Sequence, residues 1–172
     1  MTIAQSLLIG IISGVISSLL FLMALFLFKP RIEISDKICT NSEFGNTYYF
    51  IKTINKTWWT IYDIKVELSL LQTSSTKGGK IYKVDKIELR REPPFQIPRY
   101  SKKDKDAFYA VLFSTESNLD TLWTKDTHCL KVVISARHNF SGFGSIFTKE
   151  YFSKEHAIHK GKFEFGKSLQ TC

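Results

Sequence analysis

The first 28 residues contain no Asp, Glu, Lys or Arg, which rules out an ordinary solvated surface for this stretch. The run LLIGIISGVISSLLFLMALFLF is long enough, at about 1.5 Å per helical residue, to cross a hydrocarbon core of about 30 Å. It also lacks the marks of a cleavable leader: the start is Met-Thr-Ile-Ala-Gln, without a basic residue, and the exit is Phe-Leu-Phe-Lys-Pro, without small-x-small. Residues 1–28 therefore read as an uncleaved transmembrane helix. Cysteine is scarce as well: Cys39, Cys129 and Cys172 are odd in number, widely spaced and in no CxxC pair. That excludes a disulfide framework and a zinc knuckle, and it suits a reducing compartment.

Signs of catalysis are missing too. There is no GxSxG elbow and no GxxxxGK[ST] cradle. His156 and His159 fall short of the three or four ligands that zinc needs, and His128 and His138 belong to a different segment. Asp104 and Asp106 sit in the Lys-rich stretch YSKKDKDA, which reads as a solvated loop. The chain is expected to be non-enzymatic, with no metal and no cofactor.

What is present begins with the flanks of the apolar run. No basic residue precedes it, while Lys29, Arg31 and Lys37 follow at once, and such a bias keeps the following segment on the cytosolic side. The expected topology is a single pass of the cell inner membrane, with residues 29–172 forming one cytosolic domain. The sequons Asn55-Lys56-Thr57 and Asn139-Phe140-Ser141 are then chance matches, since they matter only on a luminal face. All 24 basic and 16 acidic residues lie after residue 28, so the net +8 belongs to this domain. Tethered beside a bilayer, it is drawn to anionic headgroups; membrane lipid is an expected partner and nucleic acid is not.

The periodicity after the helix is that of strands. Ile64, Val66, Leu68 and Leu70 alternate with Lys65, Glu67 and Ser69, and Leu130, Val132, Ile134 and Ala136 fall on one side of a second strand. TYYFIKTIN carries apolar residues on both parities, and FYAVLF is a short apolar strand around Val111. Turn signals stand at Phe44-Gly45-Asn46, Lys77-Gly78-Gly79 and Ser141-Gly142-Phe143-Gly144. Such spacing predicts an all-β sandwich or barrel.

Two segments carry a family likeness. PRIEISDKICTNSEFGNTYYFIKTINKTWWTIYDIKVELSLL resembles the opening of the cytoplasmic domain of inward-rectifier potassium channels, and LKVVISARHNFSGFGSIFTKEYFSKEHAIHKGKF resembles its later part. The resemblance spans most of Pro30 to Phe163. It implies an immunoglobulin-like β-sandwich and lipid headgroup contacts for Lys29 and Arg31; together with the apolar run, the expected fold is such a sandwich preceded by one N-terminal transmembrane helix. The second spanning helix and the TVGYG-like filter of that family have no counterpart, so the likeness implies no potassium pore.

Three surfaces stand out as candidates. Arg90, Arg91, Arg99, Lys102, Lys103 and Lys105 are interleaved with Phe95 and Tyr100 and stiffened by prolines, a composition that suits a cytosolic protein or nucleotide signal, or else a solvated edge. Trp58 and Trp59 should split by strand alternation, one inward and one free for a contact or a membrane-facing ring. In the helix, Gly10, Gly14 and Ser18 recur every four residues with Ser17 beside them, a small-residue face that permits close approach of a second helix and predicts a homo-oligomer. Two classes of function compete on this basis: a membrane-anchored binding or sensing protein, and a bacterial antiviral effector whose triggered β-domain lets clustered helices perturb the membrane.

Overall fold

A computed structural model of the chain describes residues 3–27, 29–43, 46–124, 127–139 and 141–172. The Phe44-Gly45 turn and Phe140 of the second sequon lie outside these residues. Helix α1 spans Ile3–Phe26 and buries none of its side chains against the rest of the protein. Its 24 residues are long and apolar enough to cross a membrane. A helix that is apolar all round and has no buried side chain is compatible with lipid as its solvent.

The remainder is β-rich and forms two sheets. In the first sheet β3 (Asn46–Asn55) is central. One of its edges pairs with β1 (Ile32–Ile34) and β2 (Ile38–Glu43), the other with β7 (Ala110–Thr115), and the short β10 (Ile158–Lys160) runs parallel to β2. Between β1 and β2 the fully buried Ser35 bridges the gap, its N–H donating to the Lys52 carbonyl at 2.8 Å and its Oγ to the Lys37 carbonyl at 2.8 Å. The second sheet has the order β5 (Gly79–Ile87), β4 (Ile61–Thr76), β8 (His128–His138), β9 (Gly144–Tyr151), with β6 (Gln96–Ile97) against the start of β4. Among the described residues two four-residue helices follow α1: α2 (Leu119–Leu122) and α3 (Lys154–Ala157).

Side-chain alternation explains the core. Leu68 and Leu70 of β4 and Leu130, Val132, Ile134 and Ala136 of β8 are buried together with Ile38, Tyr49, Ile51 and Phe113 of the first sheet, in one cluster drawn from both sheets. A bulge at the start of β4 lets Ile61 and Ile64, three residues apart, both join it; Asp63 takes up the extra residue at a φ of 50°. The Lys77-Gly78 turn joins β4 to β5, and the Ser141–Phe143 turn joins β8 to β9 with Gly142 at a φ of 68°.

The mixed parity of β3 has a structural cause. Its Tyr49 and Ile51 enter the shared core, whereas Ile54 on the opposite face packs with Ala107, Tyr109, Tyr100 and Leu169. Lys52, only 4% exposed, points to that same outer face, where its ammonium donates to the carbonyls of Glu164 at 2.5 Å and Ser168 at 2.8 Å. A cation thus pins the last stretch of the chain across the sheet.

The tryptophans depart from expectation. Neither enters the core: Trp58 is 82% and Trp59 48% exposed. They lie in a turn after β3, where the two-residue alternation of a strand has ended.

Candidate binding groove

β7 bonds to β3 along one edge only, and the ladder dictates what its other edge presents. The Asn55 N–H donates to the Tyr109 carbonyl at 2.9 Å, so the pairs one step away, including Lys52 with Leu112 and Phe50 with Ser114, turn their backbone groups outward. The Ser114 carbonyl accepts from the Arg90 N–H at 2.8 Å, and Thr115 Oγ1 donates to the Glu88 carbonyl at 2.7 Å. Beside this edge lies a groove of about 720 Å³ whose lining includes Leu112 and Ser114 of β7. Arg91, Glu92, Pro94, Ala107 and Phe108 line it as well. Ala107 is buried at a φ of 51°, a conformation that favours glycine. A smaller apolar hollow of about 270 Å³, lined in part by Cys39 and Phe163, shares Phe50 and Leu112 with the groove.

The basic residues singled out in the sequence divide. Arg90 and Arg91 line the groove, while Arg99, Lys102, Lys103 and Lys105 do not, although Pro98 and Asp106 on either side of them do. The loop explains the split: the Asp104 carboxylate accepts the N–H groups of Asp106 at 3.1 Å and Phe108 at 3.0 Å, and this curl carries the lysines outward. Tyr100 turns inward against Tyr109, with ring centroids 4.9 Å apart. Arg90 is itself engaged, with Nε 2.8 Å from Glu116 and its guanidinium over the Tyr48 ring. Arg91 is exposed and forms no ion pair among the described residues.

Sequence reasoning passed over Phe50, Phe108 and Leu112. The signal was there in FYAVLF, where Phe108 and Leu112 share the parity opposite to Tyr109, Val111 and Phe113, so a strand with one covered face must expose them. Both are more than half exposed.

The other candidates occupy separate places. Lys29 places its ammonium over the Phe26 ring, and the Arg31 N–H donates to Thr57 Oγ1 at 2.8 Å. Gly10 and Gly14 have open space where a Cβ would stand, and Ser17 is exposed beside them. The Ser18 hydroxyl donates to the Gly14 carbonyl at 2.9 Å, so its proton is used within the helix. Among the described residues no three His, Cys, Asp or Glu gather as a metal site. His156 is exposed on α3, His159 lies on β10, and His128 and His138 are buried on β8. Burial pushes the Cys39 thiol up to about 11 and the Cys129 thiol also upward, which leaves neither thiol a ready nucleophile. No protein-family model and no curated protein matches the chain.

Proposed function

We propose that this chain is a single-pass inner-membrane protein whose immunoglobulin-like β-sandwich lies in the cytosol and binds an extended segment of a partner protein along β7, without catalysis. α1 serves as anchor and as the face through which copies associate. The observation that carries the reading is the Leu112 backbone turned away from β3, at a residue that lines a groove together with Arg91 and Phe108. Unpaired strand groups add another strand, flanking apolar side chains give it register, and a free guanidinium favours an acidic residue in it. The groove's volume lies in the range of about 300–1,000 Å³ common to ligand sites.

A photo-crosslinking residue placed at Leu112 in the full chain should capture a discrete partner in cells, whereas one at Lys80, on the far β4–β5 hairpin, should not. Arg91→Glu should weaken capture about tenfold, the equivalent of about 1.4 kcal/mol. Equal capture from both positions, or no effect of Arg91→Glu in a folded protein, would remove the groove. Topology has its own readout, because Cys172 is exposed. A membrane-impermeant maleimide should label it only after the cells are opened, and labelling in intact cells would reverse the orientation.

A further inference from the structure

The Trp58-Trp59 turn leaves the Trp58 ring open to solvent and the Trp59 ring half exposed, edge-on to His138 at 6.0 Å, yet the turn itself is braced by buried polar groups. Asn55 is 1% exposed; its amide donates to the carbonyls of Trp59 at 3.0 Å, Ile97 at 3.2 Å and Pro98 at 2.8 Å, and its Oδ1 accepts the Thr57 N–H at 2.8 Å. Thr57 is buried too, and the Arg31 N–H donates to its hydroxyl. The rings are thus held outward by a buried polar frame. Exposed tryptophans on a braced turn would be an apolar liability in water and an asset at a lipid headgroup boundary, where an amphipathic ring is well solvated.

Their position supplies the second argument. Leu27, Lys29, Arg31, Lys56, Trp58 and Trp59 surround one hollow of about 430 Å³, so the rings stand at the level where α1 ends. Phe26 of α1 stacks on Phe143 of the β8–β9 turn, with centroids 5.5 Å apart, which brings that turn to the same level. The charge around the rings is positive: three of the seven residues lining the hollow are cations and none is an anion. Lys56 pairs with Glu33 at 2.8 Å, so the net positive charge beside the rings comes from Lys29 and Arg31.

We propose that Trp58 and Trp59, with Lys29, Arg31 and Lys56, form an interfacial seat that holds the domain against an anionic lipid surface. α1 then acts as more than a flexible tether. This rests on α1 spanning the bilayer and is independent of what occupies the groove.

The test uses the full chain reconstituted in phosphatidylglycerol and phosphatidylcholine vesicles, the latter with ordinary acyl chains or chains brominated near the headgroup. Trp123 is 3% exposed in the core, so bromine should quench the emission of only two of the three tryptophans. In Trp58→Ala/Trp59→Ala the quenchable component should disappear. Lys29→Gln/Lys56→Gln should reduce it, as should omission of phosphatidylglycerol. Quenching that is equal in wild type and the tryptophan variant, with the chain retained in the vesicles through alkaline carbonate, would overturn the seat while leaving the membrane reading intact. Emission insensitive to bromine but altered by dilution of the protein would assign the rings to a second copy and overturn it as well. Release of the chain by carbonate would sink the membrane reading and the seat together.

Discussion

Asn55 is where a short sequence signal acquires its meaning. Asn55-Lys56-Thr57 spells a sequon, but the amide is buried and shared among three carbonyls, which makes the triplet a structural brace. Asn55→Ala would leave those carbonyls and the Thr57 N–H without their partner. The expected cost is about 2–3 kcal/mol, read as a lowered unfolding midpoint of the detergent-solubilised chain; an unchanged midpoint would mean that the turn stands without its brace. His138 offers a pH-dependent counterpart. Its Nδ1 accepts the Ser141 N–H at 3.1 Å, and burial holds its pKa below the ordinary 6.5. A depressed pKa means that the unfolded chain binds the proton first, so the contribution is complete above about pH 6.5 and lost as the pH falls through the folded value. Between pH 7 and 5 wild type should lose more thermal stability than His138→Gln; parallel losses would exclude His138 as the cause.

At the scale of elements, α1 stands apart because none of its described residues is buried, its last turn alone meeting the domain through Phe26 and Phe143. Its small-residue face remains open at Gly10 and Gly14. Gly10→Leu/Gly14→Leu should reduce crosslinked dimer or higher oligomer severalfold in the membrane without releasing the chain from it, since close helix approach needs the missing side chains. An unchanged oligomer signal would assign self-association to another surface. The strands differ in how openly their sequences declare them. β8 keeps a two-residue period, with one face buried in the core and the other mostly half-exposed, while in β4 the bulge and the buried Ser69 interrupt that period. β5 is exposed along most of its length and is punctuated by Lys80, Lys83 and Lys86, which discourages further pairing along its edge.

The whole molecule is held by contacts between distant parts of the chain. Lys52 of β3 grips the carbonyls of Glu164 and Ser168, 112 and 116 residues away. Gly161, at a φ of 136°, sits where a Cβ would run into the Cys172 carbonyl. Burial lowers the Lys52 pKa, the nearby Glu164 charge opposes that shift, and the amino group keeps its two carbonyl partners. Lys52→Met should therefore free residues 161–172 for limited proteolysis faster than it lowers the unfolding midpoint. Protection equal to wild type would show that Leu169 and its apolar neighbours hold the segment unaided.

Composition and periodicity by themselves determined the charge-free helix, the β-rich domain behind it and the faces of β4 and β8 turned to the core. Those properties follow from solvent preference repeated at a local period, which a single sequence records. Tertiary structure alone decided that Trp58 and Trp59 both face outward, that Arg91 lines the groove while Arg99, Lys102 and Lys103 do not, and that Lys52 is buried. Each of these depends on where a turn ends a strand or on which remote segment comes to lie across it. The Lys52 ammonium bonds carbonyls 112 and 116 residues away and the Asn55 amide reaches Ile97 and Pro98, contacts that no local pattern encodes.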